Sequence, residues 1–481
     1  MRSDLWYDEA YSLTVARQSF GRMMHLLLVG GDTNPPLYTL SLHFWLKFGG
    51  SDIHVKLFSL LFGVASIPTF YFLARLVAGR SAGLLSCLLL ATSESAIIYS
   101  VEARPYALFL LLSILSTYLL LLALKEGEKE RGRRPAPVRL WTCYSIVSCL
   151  LIYTHWFGLL VILVQTPALV IYSRRPTQAL RLYAPALLAT GCCCVPLAPF
   201  LRNQIKLQNA VGGFYWPGNP SWHSLVNLAS FLAGGKNLLF LTPAIFTLAL
   251  AGRKKTSEEV GNNKNHLVFF AGYLLLPIIV ICTASLLLTD YSFFVPRYFL
   301  PFVIAVYMLL ALALARVGRK LAVVFLSVFI LFPFVKAARL WRTPETPYSR
   351  MAAELPQSAP TDVLIAHLSP MSFYSVLHYS RDGMEAEKVL WSEARGPGYV
   401  LDYNVKGQML SADSLIEIDA ASSQYTELWV IVDPMDSDPK VKAPREQLRH
   451  APNLSLESQR QFAGVQLEHY KRPHLTGLAC R

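Results

Sequence analysis

Tyr99-Ser100-Val101-Glu102-Ala103-Arg104-Pro105-Tyr106 stands between two apolar runs, 81–99 and 105–124. A carboxylate and a guanidinium therefore share the lip of a helix that Pro105 is suited to open. Charge at a membrane boundary costs free energy and is rarely kept without a use. Working outward, apolar runs recur at 55–77, 140–153, 155–172, 180–200, 238–251, 266–288, 297–315 and 320–336. Most approach the roughly 20 residues that span a bilayer as a helix. Two are short: 140–153 and 155–172 read as one kinked hairpin, and 238–251 as a span that starts earlier. The 481 residues are 53% hydrophobic and only 16% charged, where a soluble chain carries about 25% charge. The expectation is a mainly α, polytopic transmembrane helical bundle of about ten spans.

The net charge of +13 would point to nucleic acid in a soluble protein. Here its placement points to topology. Basic clusters fall in 125–139 (Lys125, Lys129, Arg131, Arg133, Arg134, Arg139) and 174–181 (Arg174, Arg175, Arg181). They recur in 252–265 (Arg253, Lys254, Lys255, Lys264) and 316–320 (Arg316, Arg319, Lys320). Successive clusters are two spans apart, so they share one face, which the positive-inside rule makes cytoplasmic. Nucleic acid is excluded as a partner on this placement. The opposite face holds residues 1–54, 100–104, 201–237, 289–296 and everything after 337. The loop 201–237, with Arg202, Lys206 and Lys236 and no acid, departs from the trend; long loops are weakly bound by it, and a basic external loop attracts lipid phosphates. An external start also implies a further span ahead of Asp4. Seven of the eight cysteines sit in apolar runs and Cys480 lacks an external partner, so no disulfide framework is expected.

Three regions follow. Residues 1–54 form an external catalytic loop with interfacial helices, one from Asp8 to about His25 and one opened by Asn34-Pro35-Pro36 and running through Lys47. Residues 55–336 form the bundle. Residues 337–481 form a small extracytoplasmic soluble α/β domain, with strands at Asp362–Leu368 and Glu427–Val432 and helices around 371–380 and 443–450. In 201–237 the run Phe214-Tyr215-Trp216-Pro217-Gly218-Asn219-Pro220 implies turns at the headgroup level.

Trp6-Tyr7-Asp8-Glu9-Ala10 places a second acid pair on the external face. An acid at a helix start satisfies free N–H groups; the functional reading of Asp8 and Glu9 is a general base. Glu102 with Arg104 reads either as an ion pair marking a helix end or as an acid that positions an acceptor, steadied by the arginine. Arg297, in Phe294-Val295-Pro296-Arg297-Tyr298, is either a membrane anchor or a fork for a lipid phosphate. His43 and His155 lie near the same level, where a hydrogen-bonded structural histidine is the commoner finding. The candidate catalytic residues are Asp8, Glu9 and Glu102, and the candidate substrate contacts are Arg104, Tyr106, Arg297, Tyr298, His43 and His155. This set fits transfer of a sugar from a polyprenyl phosphate. The phosphate leaves as a stable anion, the acceptor hydroxyl needs a base, worth roughly 10²–10⁴ in rate, and the leaving group needs a cation. With no covalent intermediate, the anomeric carbon inverts. The competing reading is a polytopic transporter or lipid flippase, which would place its charges at mid-span beside broken helices; acids at span ends favour the enzyme. A non-catalytic scaffold is a third.

The first 120 residues resemble the bacterial members of the protein-mannosyltransferase-like superfamily of membrane glycosyltransferases, the C-type fold. The resemblance rests on Leu5-Trp6-Tyr7-Asp8-Glu9-Ala10, Asn34-Pro35-Pro36-Leu37-Tyr38, Leu42-His43-Phe44-Trp45 and Glu102-Ala103-Arg104-Pro105-Tyr106-Ala107-Leu108. Tyr153-Thr154-His155 and Arg297-Tyr298 add to it, and it extends to about residue 315. It implies that Asp8, of the pair Asp8-Glu9, is the base and that Glu102 is the carboxylate of the second external loop. It implies a polyprenyl- or dolichyl-phosphate sugar as donor and a glycan, lipid or protein as acceptor, in the cell membrane with the site on the extracytoplasmic face. No cofactor is expected; some C-type enzymes use a divalent metal, which the mannosyltransferase branch is generally thought not to need. The family's first span, ahead of the Asp-Glu loop, has no counterpart here.

Overall fold

The computed structural model describes residues 3–129, 138–211, 219–235, 257–288, 292–315, 317, 319–342, 346–356, 361–380, 387–391, 404–433 and 445–473. The expected span 238–251, the aromatic run 214–218, Cys480 and the basic positions Arg131, Arg133, Arg134, Lys236, Arg253, Lys254, Lys255 and Arg316 lie outside them. The chain opens with α1 (Tyr7–Arg17), α2 (Phe20–Leu28), α3 (Leu37–Trp45), α4 (Asp52–Ala91) and α5 (Glu94–Ser100). Then come α6 (Tyr106–Lys129), α7 (Val138–Thr154), α8 (Gly158–Gln165), α9 (Ala168–Ile171), α10 (Pro176–Cys194) and α11 (Ala198–Ala210). They are followed by α12 (Trp222–Ala233), α13 (Ser257–Leu287), α14 (Val303–Leu314) and α15 (Arg319–Arg342). The tail holds α16 (Pro347–Glu354), β1 (Val363–His367), α17 (Pro370–Tyr379), β2 (Glu387–Trp391), β3 (Leu415–Glu417), α18 (Ile418–Gln424), β4 (Glu427–Val432), β5 (Ser455–Phe462) and β6 (Val465–Lys471).

Two compact units result: Asn34–Pro199 with Gly213–Arg339, and Met1–Thr33 with Phe200–Gly212 and Leu340–Arg481. The first is the membrane unit. Among the described residues five helices are long and apolar enough to cross a bilayer. Every residue of α14 is buried, as expected of a helix that is apolar all round. By contrast α4, α10 and α13 leave Leu61, Phe72, Leu188 and Leu286 exposed, the surface that lipid covers. Inside, Gln165 ties three helices: its Nε2–H groups donate to Ser116 Oγ at 2.8 Å and Thr117 Oγ1 at 3.0 Å, and its Oε1 accepts from Tyr144 at 2.9 Å. A buried polar group in a membrane is stable only when satisfied in this way.

Several expected boundaries move, each for a local reason. The run 81–99 is not one helix. Thr92 Oγ1–H donates to the Leu88 carbonyl at 2.8 Å and Ser93 Oγ accepts from Ala96 N–H at 3.3 Å, so hydroxyls end α4 and start α5. The described residues of the loop 201–237 are largely helical: helical chain continues through a 3₁₀ turn at Val195–Leu197 into α11, and Ser221 caps α12, which ends at Gly234 with φ +92°. The single helix expected from Asp8 to His25 divides at the extended residues Gln18 and Ser19.

In the second unit the tail builds a six-stranded sheet in the order β3-β2-β1-β4-β6-β5. The first four strands are parallel; β6 runs antiparallel to β4 and β5 to β6. Alternate residues face opposite sides. Leu364, Ala366, Leu428 and Val430 enter one apolar core, while Ile365 and Ile431 meet Met351, Val376 and Leu467 in the other. Cover on both faces explains why the β1 and β4 sequences are nearly continuous apolar runs. The expected α/β domain is therefore present, enlarged by four strands that the sequence reading did not assign.

Candidate active site

In the membrane unit, Glu102 and Arg104 lie in the short turn between α5 and α6. The Arg104 N–H donates to the Glu102 carbonyl at 2.8 Å, and the Pro105 carbonyl accepts from Phe109 N–H at 2.8 Å, which starts α6. The turn is fixed from α4: Ser59 Oγ–H donates to the Arg104 carbonyl at 3.3 Å, and Ser59 Oγ lies 2.7 Å from the Tyr38 hydroxyl of α3. Tyr38 and Ser59 thus carry α3 to the Arg104 turn.

This arrangement gathers five of the expected substrate contacts. The Arg297 guanidinium carbon lies 5.9 Å from the centre of the Tyr106 ring, a cation–π distance. His155 packs edge-on against Tyr298 with centroids 4.9 Å apart and lies 6.1 Å from the Tyr106 ring. Phe109 stacks on the His155 ring with centroids 4.7 Å apart. Arg104 and Arg297 both act electrostatically on His155. His155 sits in the turn between α7 and α8. Burial first, then the two guanidiniums, lowers its pKa to about 3, so the ring is neutral. Its Nδ1 accepts from Phe157 N–H at 3.1 Å, which assigns the proton to Nε2. Nε2 is buried and has no hydrogen-bond partner among the described residues. Two guanidiniums and a neutral N–H donor therefore converge beside Glu102, which is itself buried with Arg104. The arrangement is chemically suited to an anion.

His43 is half-buried on α3, edge-on to Phe44 at 5.3 Å. Asp8 and Glu9 belong to the other unit, in the first turn of α1. Glu9 is buried and its Oε2 accepts from the Trp6 N–H at 3.2 Å, so the capping reading is realised for this acid. α1 is held by the tail. Leu5 N–H donates to the Tyr379 hydroxyl at 2.8 Å, Ser349 N–H to Asp4 Oδ2 at 2.7 Å, and Asn404 Nδ2–H to the Tyr7 hydroxyl at 3.0 Å. Tyr7, Tyr11 and Tyr374 form a ring cluster beneath it.

Sequence reasoning missed Ser59, Phe109 and Lys56. Lys56 is 2% exposed inside an apolar helix, one turn before Ser59 on the same face. A cation within an apolar span was the signal that would have found it.

The helical membrane bundle and the α/β tail have counterparts among solved structures. The structure of ArnT from Cupriavidus metallidurans in the apo state is similar, with TM-score 0.57 and 13% identity over 97% of this chain and 94% of that one. ArnT bound to undecaprenyl phosphate matches over the same shares, with TM-score 0.53 and 12% identity. The archaeal oligosaccharyltransferase AglB from Archaeoglobus fulgidus, in complex with an inhibitory peptide and a dolichol-phosphate, is less similar: TM-score 0.47 and 10% identity over 89% of this chain and 66% of that one. No curated protein matches the chain by sequence. Residues 33–133 match the family model described as dolichyl-phosphate-mannose-protein mannosyltransferase. The chain thus shares the fold of ArnT, a multi-pass membrane helical bundle with a small C-terminal sheet domain.

Proposed function

We propose that this chain transfers a sugar from a polyprenyl-phosphate donor to a glycan, lipid or protein acceptor, at the extracytoplasmic face of the cell membrane and with inversion. The observation that carries the reading is the convergence of Arg104, Arg297 and the His155 Nε2–H at the N-terminal lip of α6. A sugar phosphodiester carries one negative charge, and the polyprenyl phosphate that leaves carries a second. Fixed donors therefore bind the departing phosphate better than the donor lipid, which is the condition for lowering the barrier. Asp8 is assigned as the base that takes the acceptor hydroxyl proton while its oxygen bonds to the anomeric carbon and the bond to phosphate oxygen breaks. Glu102, steadied by Arg104, positions the acceptor. The reaction drawn in this way needs no cofactor. ArnT, whose structure is described as bound to undecaprenyl phosphate, supports a lipid of this class.

The test is sugar transfer by the purified full chain, with the donor and acceptor found by comparing membrane glycans with and without the gene. Asp8→Asn is expected to lose about 10²–10⁴ in rate at unchanged abundance; a variant that keeps more than about a tenth of the rate removes Asp8 as the base. Arg297→Lys is expected to weaken apparent donor affinity, because a point charge cannot reproduce two parallel hydrogen bonds. Parent-like donor affinity in both Arg297→Lys and Arg297→Ala would take Arg297 out of the phosphate site.

A further inference from the structure

The other end of α6 carries a polar cavity. α6 has 24 residues, so at about 1.5 Å per residue its ends lie roughly 36 Å apart, the thickness of a bilayer. Tyr106, in the cluster just described, is at one end. At the other, the last turns of α6, the start of α7 and the start of α10 surround a cavity of about 360 Å³. Its rim holds Arg174, Arg175 and Gln178, and its walls include Leu124, Trp141 and Leu182.

The charges do not cancel at this rim. Glu128 is its one lining carboxylate, and its Oε1 accepts from Ser173 Oγ–H at 3.0 Å and Arg174 N–H at 2.9 Å. Glu128 is thereby committed to shaping the turn that presents both arginines. Trp141 is 5% exposed, and its indole N–H has no hydrogen-bond partner among the described residues. Further along α10, Leu180 and Leu188 remain exposed on an apolar surface. The cavity therefore combines cationic donors at a membrane boundary with apolar walls that run into a lipid-facing helix. A free anion would use the arginines and leave the walls unused.

We propose that this cavity binds the headgroup of an anionic phospholipid, on the membrane face opposite the Arg104–Arg297 cluster. The phosphate lies between Arg174 and Arg175, Gln178 hydrogen-bonds the headgroup, and the acyl chains follow α10. Basic pockets between transmembrane helices recognise lipid phosphates in this way. The site is separate from the transfer reaction and stands whether or not that assignment holds.

Native mass spectrometry of the purified full chain tests it, with phosphatidylglycerol, phosphatidylcholine of the same acyl chains, and inorganic phosphate as probes. The parent is expected to retain phosphatidylglycerol in preference to phosphatidylcholine. Removing both charges, Arg174→Gln with Arg175→Gln, is expected to weaken retention about 30-fold, from about 1 kcal/mol per basic side chain at a lipid surface. Gln178→Trp keeps both charges but fills the cavity, and is expected to weaken retention as well. Lys264→Gln, on a separate basic segment, is expected to have no effect. Parent-like retention by Gln178→Trp would place the lipid on a general basic surface and overturn the proposal. Inorganic phosphate that binds with the same dependence on the arginines, without a preference for phosphatidylglycerol, would assign the cavity to a soluble anion and overturn it equally.

Discussion

His155 shows how a residue can be legible in position and illegible in role. Its place at the end of an apolar run, beside Tyr153 and Thr154, marked it as a candidate. Its chemistry depends on Phe109, Tyr298, Arg104 and Arg297, which come from two other parts of the chain. A ring with a pKa near 3 is a poor base at neutral pH, which leaves hydrogen-bond donation as its use. The same environment ties it to stability. The folded-state pKa lies below the ordinary value of about 6.5, so the unfolded chain binds a proton first as pH falls. The contribution is complete above about 6.5 and is lost as pH drops toward 3. The loss is at most about 1.4 kcal/mol per unit, so about 2 kcal/mol by pH 5. Thermal unfolding of the detergent-solubilised chain should show the parent losing more stability between pH 7 and pH 5 than His155→Gln. Parallel losses would mean the ring is not held neutral. Arg104 and Arg297 were legible because charge at a span end stands out, whereas Ser59 and Phe109 look like ordinary members of apolar runs until Arg104 and His155 are placed beside them.

At the scale of elements, the apolar runs gave the helices and small polar residues set their ends. Runs 55–77 and 105–124 read correctly because apolar length is the signal that lipid enforces. The run 81–99 did not, since Thr92 and Ser93 break it with side-chain bonds that hydropathy averages away. Within α4 the break between 77 and 81 is realised at Ala78 and Gly79, where Gly79 adopts φ +84° and ψ −177°. That conformation is almost reserved for glycine. A Cβ at Gly79 would meet nothing within 4 Å, so substitution is penalised by backbone strain alone. Gly79→Ala is expected to cost about 1–3 kcal/mol, read as a lower melting temperature, with no gain from Gly79→Ser. A parent-like melt for Gly79→Ala would show that the two legs of α4 join without this turn.

At the scale of the whole molecule, the sequence separated the tail from the bundle by composition, and the strands β1 and β4 were visible as apolar runs. The edge strand β5 was not, because its residues are mostly exposed and carry no apolar alternation. Nor was the use of the tail. Hydrogen bonds joining residues 4–7 to residues 349–404 leave no local trace in sequence. They make the helix bearing Asp8 an element of the α/β unit. Asn404 is fully buried between two tyrosines: it donates to Tyr7 and accepts from Tyr374 at 2.9 Å. Replacing it with leucine keeps the bulk and removes both bonds, leaving the buried Tyr374 hydroxyl and the half-buried Tyr7 hydroxyl to find other partners. Such losses cost about 1–3 kcal/mol, a factor of about 5–150 in a local opening equilibrium. Hydrogen exchange should therefore speed up by that factor in α1 of Asn404→Leu, with exchange in α6 and α14 unchanged. With Asp8 as the proposed base, sugar transfer is expected to fall through kcat more than through KM. Unchanged exchange over residues 7–17 would mean that the tail folds beside α1 without holding it.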